Sequence, residues 1–92
     1  RMHKESIEED IKEVWNRICE MEDDFLKKEI EDGTKEDSIR VLLSLLFLEK
    51  DDKVRMYQEK PFSDIHVHVM VPKELRKIEF LNKPTVEVVK KS

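Results

Sequence analysis

Residues 41–48 form a run of seven apolar side chains broken only by Ser44. Wound as an α-helix, such a run puts apolar groups on every side, because successive residues step about 100° around the axis. A helix apolar that far round must be covered on two sides, by its own domain or by a second molecule. It is too short to span a bilayer, which takes about 20 apolar residues. Whatever fold the chain adopts has to be built around this segment.

Thr34 followed by Asp37 supplies a start for that helix, since a hydroxyl at the N-cap accepts an amide that the first turn leaves unpaired. Upstream, Ser6 and Glu9 form a capping-box signature. They precede Ile7, Ile11, Val14, Trp15 and Ile18, whose helical spacing predicts a first helix with one apolar face. Asp23 and Asp24 predict a short second helix carrying Phe25, Leu26 and Ile30. Gly33, the only glycine, stands where a left-handed C-terminal cap is wanted.

Downstream, Asp51 and Asp52 make a turn. Residues 53–58 alternate, with Val54 and Met56 on one side and Arg55 and Tyr57 on the other. Residues 61–64 read as a loop. Ile65, Val67, Val69 and Val71 then face one way and His66, His68 and Met70 the other, the plainest strand in the sequence. Three helices followed by a β-hairpin wing is the winged-helix order, an α+β fold. This reading assigns residues 1–71 to the winged-helix domain and 72–92 to a C-terminal extension. In the extension, Leu75, Ile78 and Leu81 predict a short helix, and residues 85–89, after Pro84, an extra strand.

Composition narrows the function. With 38% hydrophobic and 43% charged residues in 92, the chain has apolar material for one small core. The net charge is −4, and residues 1–37 carry 14 acids against 7 bases. Such a domain is poorly suited to gripping phosphate backbones, whose affinity for proteins comes mainly from charge neutralisation. The single cysteine, Cys19, has no partner for an internal disulfide, so a reducing, cytoplasmic setting is expected. Nothing reads as a signal peptide, and the Arg-Met start suggests a piece of a longer protein.

Catalytic groupings are missing from the sequence: there is no Gly-rich phosphate loop, no Ser/His/Asp set and no cysteine pair. Cys19, beside Ile18 and flanked by Glu20 and Glu22, reads as a small buried hydrophobe, because nearby carboxylates oppose the thiolate. The acidic residues between 20 and 24 read as a solvated face, and Trp15 as core. His66 and His68 share a strand face at the His-x-His spacing of many metal sites, but a site would need a third ligand such as Cys19 or Asp64. Two half-exposed strand histidines, or a partner contact that responds to pH, are the alternatives. No enzyme, cofactor or metal is therefore expected.

From residue 42 onward the sequence resembles the C-terminal winged-helix domain of kleisins of the segregation and condensation protein A (ScpA) family. The resemblance rests on Leu42-Leu43-Ser44-Leu45-Leu46-Phe47-Leu48, then Val54-Arg55-Met56-Tyr57-Gln58, then Pro61-Phe62-Ser63-Asp64-Ile65. It runs without a gap over about a quarter of the chain. Leu42 stands where the family has an aromatic, Phe47 where it has an acid and Ser63 where it has glycine. The resemblance implies a non-catalytic domain that binds the ATPase head of an SMC protein and closes the SMC–kleisin ring used in chromosome condensation and segregation. The remainder of the kleisin would reach other SMC-complex subunits. DNA would be met only through the complex, in the nucleoid, with no membrane involved. The family's partner face maps onto Leu42, Leu46 and Gln58, and Met56 and Phe62 of the matched hairpin are read with them. Leu42 and Leu46 form one stripe of the helix, and Ile39, Leu43 and Phe47 a neighbouring stripe that could pack inward.

Two other readings compete. A DNA-binding transcription regulator would need base-reading side chains on the third helix, yet between Asp37 and Lys50 Arg40 is its only cation. A small metal-dependent enzyme would have to be built on His66 and His68.

Overall fold

The computed structural model describes residues 4–79. Two long helices, α1 (Lys4–Cys19) and α2 (Lys35–Lys50), pack on each other and on a three-stranded antiparallel sheet of order β1-β3-β2. Its strands are β1 (Asp24–Leu26), β2 (Val54–Gln58) and β3 (Ile65–Val69), and 3-10 turns occupy Lys27–Ile30 and Lys73–Ile78. Val14, Trp15 and Ile18 of α1 meet Val41, Leu45 and Leu48 of α2 over Val54, Val67 and Val69 of the sheet, forming one core. The α+β class is as expected from the sequence.

The expected second helix is formed only as the short 3-10 helix Lys27–Ile30, and not from Asp23 onward. Asp24–Leu26 is a strand that pairs with β3, Phe25 opposite Val67, and Lys27–Ile30 follows as a 3-10 turn. Phe25 and Ile30 are both buried, at 6% exposure each. Residues five apart stand about 140° apart on an α-helix, so a helix could not have turned both toward the core. A strand followed by a tight turn does so, and it also satisfies the second edge of β3. The hairpin is thereby widened into a three-stranded sheet.

Helix α1 starts at Lys4, so Ser6 lies inside it and cannot be its N-cap. The start of α2 is as read from the sequence: Thr34 Oγ1 accepts from the Asp37 amide at 3.1 Å. Gly33 has the anticipated positive φ, 99°, but it follows the 3-10 turn at a distance and does not cap a helix. Nothing lies within 4 Å of a Cβ built there, so backbone conformation alone favours glycine.

The strand alternation is realised. Val67 and Val69 are buried, Val71 packs against the core and Met70 is exposed. In β2, Val54 is fully buried and Met56 packs on the core, while Arg55 and Tyr57 face out. Lys73–Ile78 is the anticipated short helical turn, but Leu75 and Ile78 are exposed and Arg76 is the buried residue. The Arg76 guanidinium donates to the carbonyls of Val71 at 2.8 Å and Met21 at 3.4 Å, and pairs with Asp23. Leu81 and the expected strand at 85–89 lie outside the described residues.

Candidate docking surface

Helix α2 divides its apolar residues between two opposite faces. Asp37, Val41, Ser44, Leu45 and Leu48 point inward. Ile39, Leu43, Leu46 and Phe47 point outward at 39–53% exposure, with Leu42 half-buried at their flank. At about 100° per residue these five outward positions are contiguous, spanning roughly 140° of the helix surface over about two and a half turns. The sequence left open which stripe faces outward; in the structure Leu46 is exposed and Leu42 half-buried beside it. The neighbouring stripe does not pack inward: Ile39, Leu43 and Phe47 are part of the same open face. The signal for the inward set is the i, i+4, i+7 series Val41, Leu45 and Leu48, in phase with Asp37 of the first turn, which the sequence reading did not single out.

Electrostatics hold this helix in place. Asp37, 1% exposed, accepts from Arg17 at 2.9 Å and from the Asp32 amide at 2.9 Å, and Arg40 reaches it at 3.1 Å. The Arg17 hydrogen bond holds the Asp37 carboxyl below the usual carboxylate range, against the opposing effect of burial. The same contacts push the Arg17 guanidinium up, so it stays charged. Arg40, which a DNA reader would need free, is engaged by both Asp37 and Asp10. A small cleft of about 30 Å³ beside the apolar face is lined by Ile7, Asp10, Arg40, Leu43, Ser44 and Phe47.

The hairpin residues singled out from sequence take different places. Met56 faces the core, and its amide, on the outer edge of β2, donates to Glu49 Oε2 at 3.1 Å. The outer edge of β1 is treated alike, with the Leu26 amide donating to Glu29 at 3.2 Å. Both strand edges thus have an outward amide occupied by a carboxylate, which discourages addition of another strand. Gln58 is exposed, and its Nε2 donates to the Ser63 carbonyl at 2.7 Å. Phe62, at the far end of the hairpin, has its side chain wholly in solvent.

His66 and His68 share the outer face of the sheet but not a task. The His66 ring stacks on Tyr57 at 4.7 Å between centroids, and His68 Nδ1 lies 2.7 Å from Asp24 Oδ1. Asp64, one suggested third ligand, pairs with Lys28. Among the described residues no group of three His, Cys, Asp or Glu side chains is placed to hold a metal ion. Cys19 is half-buried against the core, and burial pushes its thiol up, away from the nucleophilic form. A groove of about 410 Å³ runs between Glu22, Asp23 and residues 69–76, but the buried Arg76 on its wall is satisfied by protein groups.

No protein-family model matches the sequence, and no curated protein does. Among solved structures, the chain is similar to the C-winged helix domain of ScpA in a crystal structure of the SmcHead bound to that domain. The match has a TM-score of 0.59 and 30% sequence identity, and covers 70% of this chain and 99% of the other.

Proposed function

Because the chain belongs to the ScpA family through its C-terminal winged-helix domain, we propose that it is a non-catalytic kleisin domain whose task is to dock on the ATPase head of an SMC protein. The observation that carries this reading is the outward face of α2: Ile39, Leu42, Leu43, Leu46 and Phe47, contiguous, apolar and opposite the core. A small domain exposes such a patch at a cost in solubility, and patches of this kind mark protein interfaces. The related ScpA domain bound to SmcHead supports the choice of partner. Leu46 lies on this surface with Leu42 at its half-buried flank, and Phe62, Met56 and Gln58 belong to the hairpin that serves as the wing.

In this reading residues 1–71 form the winged-helix domain and 72–92 an extension whose first turn is anchored by Arg76. Binding closes an SMC–kleisin ring that serves chromosome condensation and segregation in the cytoplasmic nucleoid. Other subunits are reached through the rest of the kleisin, and DNA only through the complex.

Co-purification with a recombinant SMC head tests the proposal. Wild type binds the head, and Leu46→Lys loses about 2 kcal/mol or more of binding, the magnitude of an interface hot spot. A chain that ignores the head at micromolar concentration, yet binds DNA tightly with steep salt dependence, would instead be a transcription-regulator type of winged helix.

A further inference from the structure

The outward face of α2 is wider than the stripe that the ScpA resemblance assigns to the partner. Leu42 and Leu46 stand about 40° apart around the axis, and Phe47 lies about 100° beyond Leu46, at the other margin. Leu42 shares its side of the helix with Glu49, whose carboxylate accepts from the Met56 amide, so that margin borders β2. Phe47 shares its side with Arg40, whose guanidinium pairs with Asp10, so the opposite margin borders α1. There Ile7 of α1 joins Leu43 and Phe47 around the cleft of about 30 Å³. That space admits the end of one aliphatic side chain, since a single water needs about 10–15 Å³.

This side of the helix suits an uncharged neighbour. Leu43 and Phe47 are exposed and Ile7 is half-buried. The ionic groups at the edge of the cleft, Arg40 and Asp10, pair with each other at 3.5 Å, and Arg40 also reaches Asp37 at 3.1 Å. Neither is orphaned when an apolar group covers the cleft, which avoids the heavy cost of an unpaired buried charge. Along the axis the face is bounded by the exposed Glu36 and Lys50. An apolar centre inside a charged rim is the layout of protein interfaces. Phe47 also stands where the family has an acid, so in this chain the apolar surface runs on without a charge toward α1.

We propose that Phe47, with Leu43 and Ile7, forms a specificity contact: the cleft between α1 and α2 receives an uncharged aliphatic side chain of the SMC head. This rests on the head-docking reading above. The head is the occupant because the cleft is continuous with the stripe on which that reading stands. The whole arc spans about 140°, and an apolar helical stripe that packs on one surface is commonly about 100° wide or more. Discrimination comes from repulsion as well as attraction. A head matched to an acid at this position presents a base, and Phe47 would bury that base without a counter-charge.

Calorimetric titration of the 92-residue chain with two isolated SMC heads tests this: its cognate head, and the head that partners a ScpA carrying the acid. Phe47→Glu should weaken binding to the first about tenfold or more and strengthen binding to the second. The thermal midpoint of the free variant should shift by no more than about 4 °C, as for a surface change. In the wild-type chain the Ile7 methyl resonances should move when the cognate head is added. Unchanged affinity of Phe47→Glu for both heads, or unmoved Ile7 methyls, overturns the contact, and loss of binding in Leu46→Lys then leaves the docking reading standing. Sedimentation that finds the wild type dimeric and Phe47→Glu monomeric overturns it as well, because a second copy would fill the cleft. If the wild type binds neither head, both readings fall.

Discussion

The indole N–H of Trp15 donates to the carbonyl oxygen of Arg76 at 2.7 Å, across 61 residues of sequence. The core tryptophan of α1 is thus bonded to the same residue whose guanidinium gathers the carbonyls of Val71 and Met21. Arg76, 1% exposed, works as a rivet between the end of α1, the approach to β1 and the exit from β3. Arg76→Met keeps much of the stem but orphans those carbonyls and Asp23. It should cost about 2 kcal/mol of stability, read by denaturant unfolding, with SMC-head affinity unchanged once the variant is folded.

Leu45 and Leu46 are adjacent in sequence and opposite in role. Leu45 is fully buried and Leu46 is 47% exposed. Leu45→Ala should destabilise the fold by about 2–5 kcal/mol through lost burial and a residual cavity. Leu46→Ala should change stability by no more than about 0.5 kcal/mol while weakening head binding. Thermal melts and titrations of the same two variants separate the effects. Equal stability losses would place both residues in the core.

Asp37 gives the fold an acid limb of known sign. Arg17 is the main cause of its lowered pKa, with the Asp32 amide and the charges of Arg17 and Arg40 adding to it and burial opposing. A carboxylate whose folded pKa lies below the unfolded value, about 3.9, contributes stability that is fully present above that value. The contribution drains as pH falls through the folded pKa. Asp23, lowered mainly by its hydrogen bond to Arg76, carries the same sign. The thermal midpoint should therefore fall below about pH 4 on account of these two groups. Asp37→Asn should lower stability at pH 7 and flatten the acid limb.

Thr34 caps α2 through the Asp37 amide at 3.1 Å and is itself held by Asp32 Oδ1, which accepts from its hydroxyl at 2.8 Å. Thr34→Ala should cost about 1 kcal/mol, whereas Thr34→Asn should be close to neutral, both by denaturant unfolding. A matching loss for alanine and asparagine would show that the hydroxyl, and not the capping geometry, carries the effect.

The long helices and the β2–β3 hairpin were legible because each repeats its apolar residues with its own period over many positions. Trp15 and Val67 follow from period alone. The segment at 24–30 was misread because its signal is short and ambiguous: two acids before three apolar residues suit a helix as well as a strand. What decided it was the open edge of β3, which no local pattern contains. The capping box at Ser6 failed for a related reason, since cap chemistry marks where a helix is able to begin and α1 begins earlier.

Sequence by itself determined that α2 would be apolar on two sides and that a hairpin would follow. Period and composition are local quantities, and the run at 41–48 states them outright. Only the tertiary structure decided which side of α2 looks outward, that Phe25 would extend the sheet, and that Arg76 and Asp37 would be buried. Those outcomes depend on which surfaces and polar groups meet across tens of residues. Phe62 shows both at once. Its exposure after a proline was readable as a loop, but its positive φ, 66°, and the bond from the Gln58 amide to the Ser63 carbonyl exist only once the turn has closed.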